Sequence, residues 1–598
     1  MSAPDERETL ATSLYAHVLA LRAAAPDASL PPGGLPLPRG ARPPRDGTPG
    51  PRAREAREAV TALVRSALAD ADPVRAALAL ERDLSAAGIR ERAVHAAVVA
   101  LPPPEEAPDR ARALARALTR TGTTVTAVAA GLGLLVPLGE AEDVPYLRAL
   151  GLLHGLGDQA ARALAPLDRE AAALARLVRE RSDALRPLVD ALVRGDEGTA
   201  RALLTGLPTT PRDLGRRQAR HLAEAVGLTA LLRDEPGLLG PALGLLTRMS
   251  QGPEAEIRAY DEAVALYETV ADRARELPPL LGHRARLVTL AQELDSGDAR
   301  LLPWPPGRRR AVLAALLAAV GEPESPSDPA DRRRAEWIRR TARRLTAVTT
   351  GEGAEDLPDG HRTGAPAVPL TSRLRIEVAV GDPGEPTGAE TRLLVDGRPL
   401  VPSVFALGAG EPPEELLLNG ALRAGPEPTE VRLAEATCTE GCCGALHVTV
   451  RRDGPHVVWD GWRRPGAPPG LPHAPAYRFD ADAYDREVGR AGRDLGWAWP
   501  ARRTAWLIAE GLRERPGILA RWGLRRGWIS TDFHQPDVTV ITFLGPPLRP
   551  DGTPDTEAGT RQFLQRLPDD GRPPRERAAE ALRHLAEEDP RRHPEPGE

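Results

Sequence analysis

All three cysteines of this 598-residue chain lie within six positions, as Cys438-x3-Cys442-Cys443, with His447 four residues on and His456 beyond it. Thiolate and imidazole side chains are the ligands that suit zinc, so Cys438, Cys442, Cys443 and His447 are the candidate metal ligands and zinc the one cofactor the sequence suggests. The spacing lacks the second, separated pair of a strong zinc signature. Adjacent cysteines on a strand would also point to opposite faces, so joint ligation needs a turn, which Gly441 and Gly444 permit. Two other readings stay open: a redox-active or nucleophilic cysteine, and a tight connection whose cysteines are small apolar groups.

Other chemistries find less material. The chain has no lysine, all 79 basic residues being arginine, so Schiff-base, pyridoxal-phosphate and phosphate-loop lysine chemistry is excluded. There is no H-E-x-x-H, and Ser250 lacks the preceding glycine of a nucleophile elbow. Asp532-x-His534 is an acid/base pair without a nucleophile. Arginines 308–310, 332–334, 339, 340, 343 and 344 form the densest basic run, a candidate phosphate or nucleic-acid patch. Intervening acids and a net charge of −5 point instead to an ordinary solvated face, with Trp337, Ile338, Leu345 and Val348 on the buried side. Seven tryptophans between 459 and 528 read as core rather than a stacking platform, with Trp497 and Trp499 the pair expected to be partly exposed.

The elements that must position these residues change character along the chain. Length predicts about three or four domains. Residues 1–25 contain an N-terminal amphipathic helix, with Leu10, Leu14, Val18 and Leu21 at helical spacing, and 26–51 reads as a disordered Pro/Gly linker. From 52 to 349 helical runs are broken by Gly, Pro or Asp and carry few aromatic anchors, which predicts an all-α, solenoid-like helical-repeat region. Within it Asp143–Leu164 resembles a HEAT-type helical hairpin. Residues 121–139 are uncharged for 19 positions, yet four threonines, several glycines and Pro137 favour a buried helix over a membrane span.

A second linker spans 350–371, and an α+β domain with an antiparallel sheet and the Cys/Trp cluster spans 372–545. Its expected strands include 374–380, 392–395, 400–401, 431–433, 446–450, 456–459, 528–529 and 538–543. Hairpins are expected at Asp396-Gly397 and Asp453-Gly454. Asp480 is a predicted N-cap. Residues 546–598 read as a mostly flexible tail with short helices at 560–567 and 575–587. The charged amino terminus has no signal-peptide pattern, and the odd cysteine count makes no disulfide framework; both predict a reducing cytoplasm.

The string Arg392-Leu-Leu-Val-Asp-Gly-Arg-Pro, the Cys438 turn, Val448-x-Val, Val458-Trp459 and Tyr477-Arg-Phe-Asp with Tyr484 resembles an uncharacterised actinobacterial protein family. Its members join a Cys-containing turn to a V-x-W strand and an F-x-F-D-x-x-x-Y strand-to-helix junction. The resemblance covers about residues 372–545, with Tyr477 in place of Phe, and carries no activity over. Taken together, the sequence predicts a non-catalytic cytoplasmic interaction or scaffold protein with an unidentified protein partner and no membrane or nucleic-acid partner. The alternatives are a zinc-binding or cysteine-dependent enzyme centred on Cys438–His456, and nucleic-acid binding through Arg308–Arg344.

Overall fold

Ala, Leu, Arg and Glu favour helix intrinsically, and the breaks between runs carry residues that end one helix and start the next. Asp72 accepts from the backbone N–H of Val74 and Arg75 at 3.0 and 3.3 Å and starts Pro73–Ala86. Asp168 and Asp196 cap Arg169–Leu177 and Glu197–Thr205 in the same way. Gly195, at φ +73°, closes Arg186–Arg194 in the left-handed conformation that glycine adopts without strain. The computed structural model describes residues 12–42, 52–102, 107–180, 182–209, 213–323, 326–350, 371–385, 388–438, 440–467, 470, 472–532, 535–551 and 553–592. The chain forms two compact units, residues 1–249 with 259–273, and 250–258 with 274–598.

In the first unit, helices from Leu14–Ala24 to Ala263–Arg273 pack mainly on neighbours one or two places along the chain, the pattern of a helical-repeat region. Its centre is Val125–Leu138, buried at every position except Val136 and Pro137, as the uncharged stretch implied. A Cβ on Gly131 would lie 2.8 Å from Leu118 Cβ and 2.9 Å from the Ala115 carbonyl, so glycine lets helix Pro108–Thr121 approach the backbone itself. Among the described residues no helix is long and apolar enough to cross a membrane. The 143–164 segment forms two short helices, Val144–Gly151 and Gly157–Leu164, with Leu147, Leu150, Leu153, Ala161 and Leu164 buried.

Residues 26–42 do not behave as the disordered linker their composition suggests. They cross the helices as an ordered strap: Leu35 N–H donates to the Leu152 carbonyl at 2.7 Å, and His154 N–H donates to Leu35 at 2.9 Å. Leu30 N–H donates to the buried Asp190 carboxylate at 2.9 Å. Proline fixes φ and has no N–H, so a Pro/Gly run can be ordered by a few backbone bonds to neighbours rather than by its own periodicity. Residues 43–51, and 351–370 of the second expected linker, lie outside the described residues.

Among the described residues of the second unit, eleven strands form three antiparallel sheets. The first orders β1 (Leu374–Val380), β2 (Ala389–Val395) and β3 (Arg398–Pro399). The second orders β4 (Gly408–Gly410), β5 (Thr429–Ala436), β6 (Ala445–Asp453), β7 (His456–Arg463) and β8 (Tyr477–Asp480). The third places β10 (Val538–Gly545) between β9 (Arg525–Thr531) and β11 (Arg561–Pro568). The expected hairpin turns are present, with Asp396 and Gly397 at φ +50° and +77° and Gly454 at +56°. Asp480 caps Ala481–Arg493 by accepting from Ala483 N–H at 2.8 Å. Residues 400–401, expected as a strand, instead begin helix Leu400–Val404.

Helices Leu281–Ser296 and Pro329–Thr350, read from sequence as the end of the repeat region, bond to the first sheet. Trp337 Nε1 donates to the Val380 carbonyl at 3.1 Å, Arg344 Nη1 to Val378 at 2.7 Å, and Gln292 Nε2 to Val380 at 3.1 Å. Helical periodicity states that a face is buried but not what buries it. The expected flexible tail is likewise part of the fold. Where a helix is expected at 560–567, residues 561–568 form β11, which pairs along all of β10. Pro574–Glu587 lays Ala578, Leu582 and Leu585 against Ile508, Leu512, Ile541 and Phe543.

Candidate functional site

The thiol group sits where β5 gives way to β6 of the second sheet. β5 ends at Ala436, Glu440–Cys443 makes one helical turn, and β6 starts at Ala445. Gly444 N–H donates to the Glu440 carbonyl at 3.1 Å, Ala436 N–H to Gly444 at 2.9 Å, and Glu440 N–H to the Glu435 carboxylate at 2.9 Å. Gly444 has φ +98°, and a Cβ there would lie 2.5 Å from the Pro465 carbonyl and 2.7 Å from Ala467 N. Glycine is therefore required both for the left-handed backbone and for the close approach of the 464–467 turn. This clamp removes the objection from strand alternation, because Cys442 and Cys443 lie on a turn and not on a strand.

The sulfurs of Cys438, Cys442 and Cys443 all lie within 4.8 Å of one another, and Cys442 and Cys443 are 3.7 Å apart. Cys438 and Cys442 are exposed and Cys443 is half-buried, and none of the three is in a disulfide. Hydrogen bonding with Cys438, then with Cys442, pushes the Cys443 thiol up to about 12. Thr439 lies outside the described residues.

His447 stands outside this group. It lies on β6 opposite Arg432 of β5, its Nε2 3.3 Å from Glu440 Oε1 and its Nδ1 3.9 Å from Glu430 Oε2. The approach to Glu440 lacks hydrogen-bond alignment, leaving Nε2 buried beside the carboxylate. His456 pairs with Asp453 at the far end of the β6–β7 hairpin and takes a hydrogen bond from Arg478 at 2.9 Å. Arg432 gathers Glu411, Glu435 and Glu440 at 2.6, 3.2 and 3.7 Å, and so fixes the charges around the turn.

The other sequence candidates disperse. Arg309 is buried and donates to the Leu294 carbonyl, Arg334 makes a two-pronged pair with Asp382 at 2.8 and 2.5 Å, and Arg344 faces Glu377 at 3.3 Å. Much of the basic run thus holds the second unit together, and Trp337, Ile338 and Leu345 form its buried side. Trp497 is buried, not partly exposed, whereas Trp499 is half-buried as expected; Arg502 lies over both rings. Trp459 is fully buried, edge-on to Phe479 and Tyr484, and serves as core. His534 lies outside the described residues.

One polar cluster carries no sequence signal. Helix Leu281–Ser296 is buried on all sides from Leu287 to Ser296, and places Glu293 and Asp295 against the first sheet. Arg392 of β2 donates to Glu293 at 2.7 Å and to Glu390 at 2.5 Å, while Arg375 of β1 reaches Asp295 at 2.6 Å and Glu377 at 3.0 Å. Asp298 completes the group beside a cavity of about 40 Å³. Burial pushes Glu293 up to about 7 and Asp298 up to about 6. Attraction to Arg392 opposes the shift at Glu293, but Glu390 and Asp298 share that one guanidinium, so burial prevails. The alternation Arg375-Ile376-Glu377-Val378 was legible as a strand, but its polar face reads as solvent-facing and not as half of a buried ionic layer.

No protein-family model, no curated protein and no solved structure matches the chain. The functional reading therefore rests on the donor set itself, which fits a metal: three soft ligands of one kind, converging on a clamped turn.

Proposed function

We propose that the second unit binds zinc, or another thiophilic cation, through Cys438, Cys442 and Cys443. The supporting observation is the separation of the sulfurs. Zn–S bonds of about 2.3 Å in tetrahedral geometry require sulfurs roughly 3.8 Å apart. Cys442 and Cys443 are 3.7 Å apart, and the third sulfur lies within 4.8 Å of both. Binding would replace three thiol protons by one cation and tie the β5–β6 connection to itself. His447 is not assigned as a ligand; it stands beside Glu440 and Glu430. A reducing compartment, the cytoplasm, is where three such thiols stay free.

The test is metal analysis of full-length protein purified without chelator, with free thiols counted before and after chelation. One equivalent of zinc, lost in the Cys442→Ser/Cys443→Ser variant, is the expected result. Three reactive thiols without metal, unchanged by added zinc, overturn the proposal.

A second reading, that the chain is a non-catalytic interaction protein, is supported by a separate observation in the first unit. A groove of about 620 Å³ runs over helices Val144–Gly151, Arg169–Leu177 and Arg186–Arg194, and reaches Leu231 on Leu228–Asp234. Leu152, Leu174, Leu192 and Leu231 floor it, and four carboxylates against two guanidiniums rim it. That combination suits a helical protein segment with an apolar stripe and basic flanks.

A further inference from the structure

The thiol group gathers three protein donors. Among the described residues, no histidine or carboxylate joins Cys438, Cys442 and Cys443. His447 faces Glu440 at 3.3 Å. Cys438 and Cys442 are exposed. Structural zinc sites are closed by four protein ligands, and a three-donor site leaves zinc with an exchangeable position. A ligand whose valence is complete with three sulfurs has no such gap.

We propose that this site takes trivalent arsenic or antimony, as the neutral hydroxide, in preference to a divalent cation. The inference rests on the thiol group of the zinc proposal and on its having three members. Each of three As–OH bonds breaks and each of three S–H bonds breaks; three As–S bonds form and three waters leave. Arsenic remains trivalent and sulfur remains at the thiol level, so no oxidant or reductant is needed. Proton accounting separates the two ligands further. Zinc must expel three protons to gain three thiolates. The hydroxide carries each proton away as water and releases none.

The test uses the full chain, reduced and metal-free, titrated separately with arsenite and with zinc at pH 6 and pH 8, and followed by loss of reactive thiols. The expected result is three thiols protected per arsenic, with affinity nearly the same at both pH values. Zinc affinity is expected to rise by about tenfold per pH unit for each proton expelled. Cys438→Ser, Cys442→Ser and Cys443→Ser should each weaken arsenite binding at least about tenfold, whereas His447→Ala leaves it unchanged. Zinc bound with arsenite leaving the thiols reactive overturns this inference and leaves the zinc proposal standing. Arsenite bound without zinc does the reverse, and neither bound removes both. Two thiols protected, or arsenite displaced by one equivalent of zinc at pH 6, also overturns the inference.

Discussion

A carboxyl group that must share one guanidinium with two others is easier to bury with its proton on, and Glu293 is in that position. Its folded value of about 7 lies above the ordinary 4.5. The native state therefore holds the proton more tightly than the unfolded chain, and this contribution is complete below about pH 4.5 and lost as pH rises through 7. Glu293→Gln keeps an acceptor for Arg392 and removes the titration. In urea denaturation followed by tryptophan fluorescence, the variant should lose less stability than the parent between pH 5 and pH 8; equal loss in both would remove the assignment. Legibility at this scale followed chemistry. The cysteines were found because their type and spacing are rare in this chain. Glu293 was not, because an acid within Leu287–Ser296 looks like the polar face of an amphipathic helix. The inclusion of His447 rested on nearness in sequence, and a strand carried it to Glu440 instead.

Helices and hairpins were readable wherever local residues decide the backbone. Asp480, Asp396-Gly397 and Asp453-Gly454 each act within four residues, and each stands where expected. β11 was misread as helix because its fate is set by pairing with β10, a partner across a long connection. The groove of the first unit is a feature of this kind, made by side chains on six helices and visible in none of them singly. If it takes a basic amphipathic helix, a lysine-flanked helical peptide should bind the full chain, and Leu174→Glu should weaken that binding at least about tenfold. Raised salt should weaken it further, through the acidic rim. A glutamate-flanked peptide that bound equally well would remove the charge argument.

At the scale of the molecule, the two units are optically separable. All nine tryptophans lie beyond residue 273, so their fluorescence reports the second unit, whereas helical dichroism reports both. Burial holds His95 of the first unit down to about 4 and His221 down to about 3, against an ordinary 6.5. Neutral imidazole is thus the native form, and the stability it contributes is present above about pH 6.5 and lost as pH falls toward the folded values. The dichroism melting point should fall from pH 7 to pH 4.5, and His95→Leu should reduce that fall; an unchanged slope would show that this ring titrates freely. The division into units was not legible, because two helices that read like those before them are bonded to a sheet that follows them. The proline strap has a consequence of its own. A linear stack of helices ordinarily unravels from an end, one hairpin at a time. Here the amino-terminal segment is stitched to residues more than a hundred positions away, at Leu152, His154 and Asp190. That clasp closes a long loop late in folding, and an array so fastened comes apart as a block instead of peeling from its first helix.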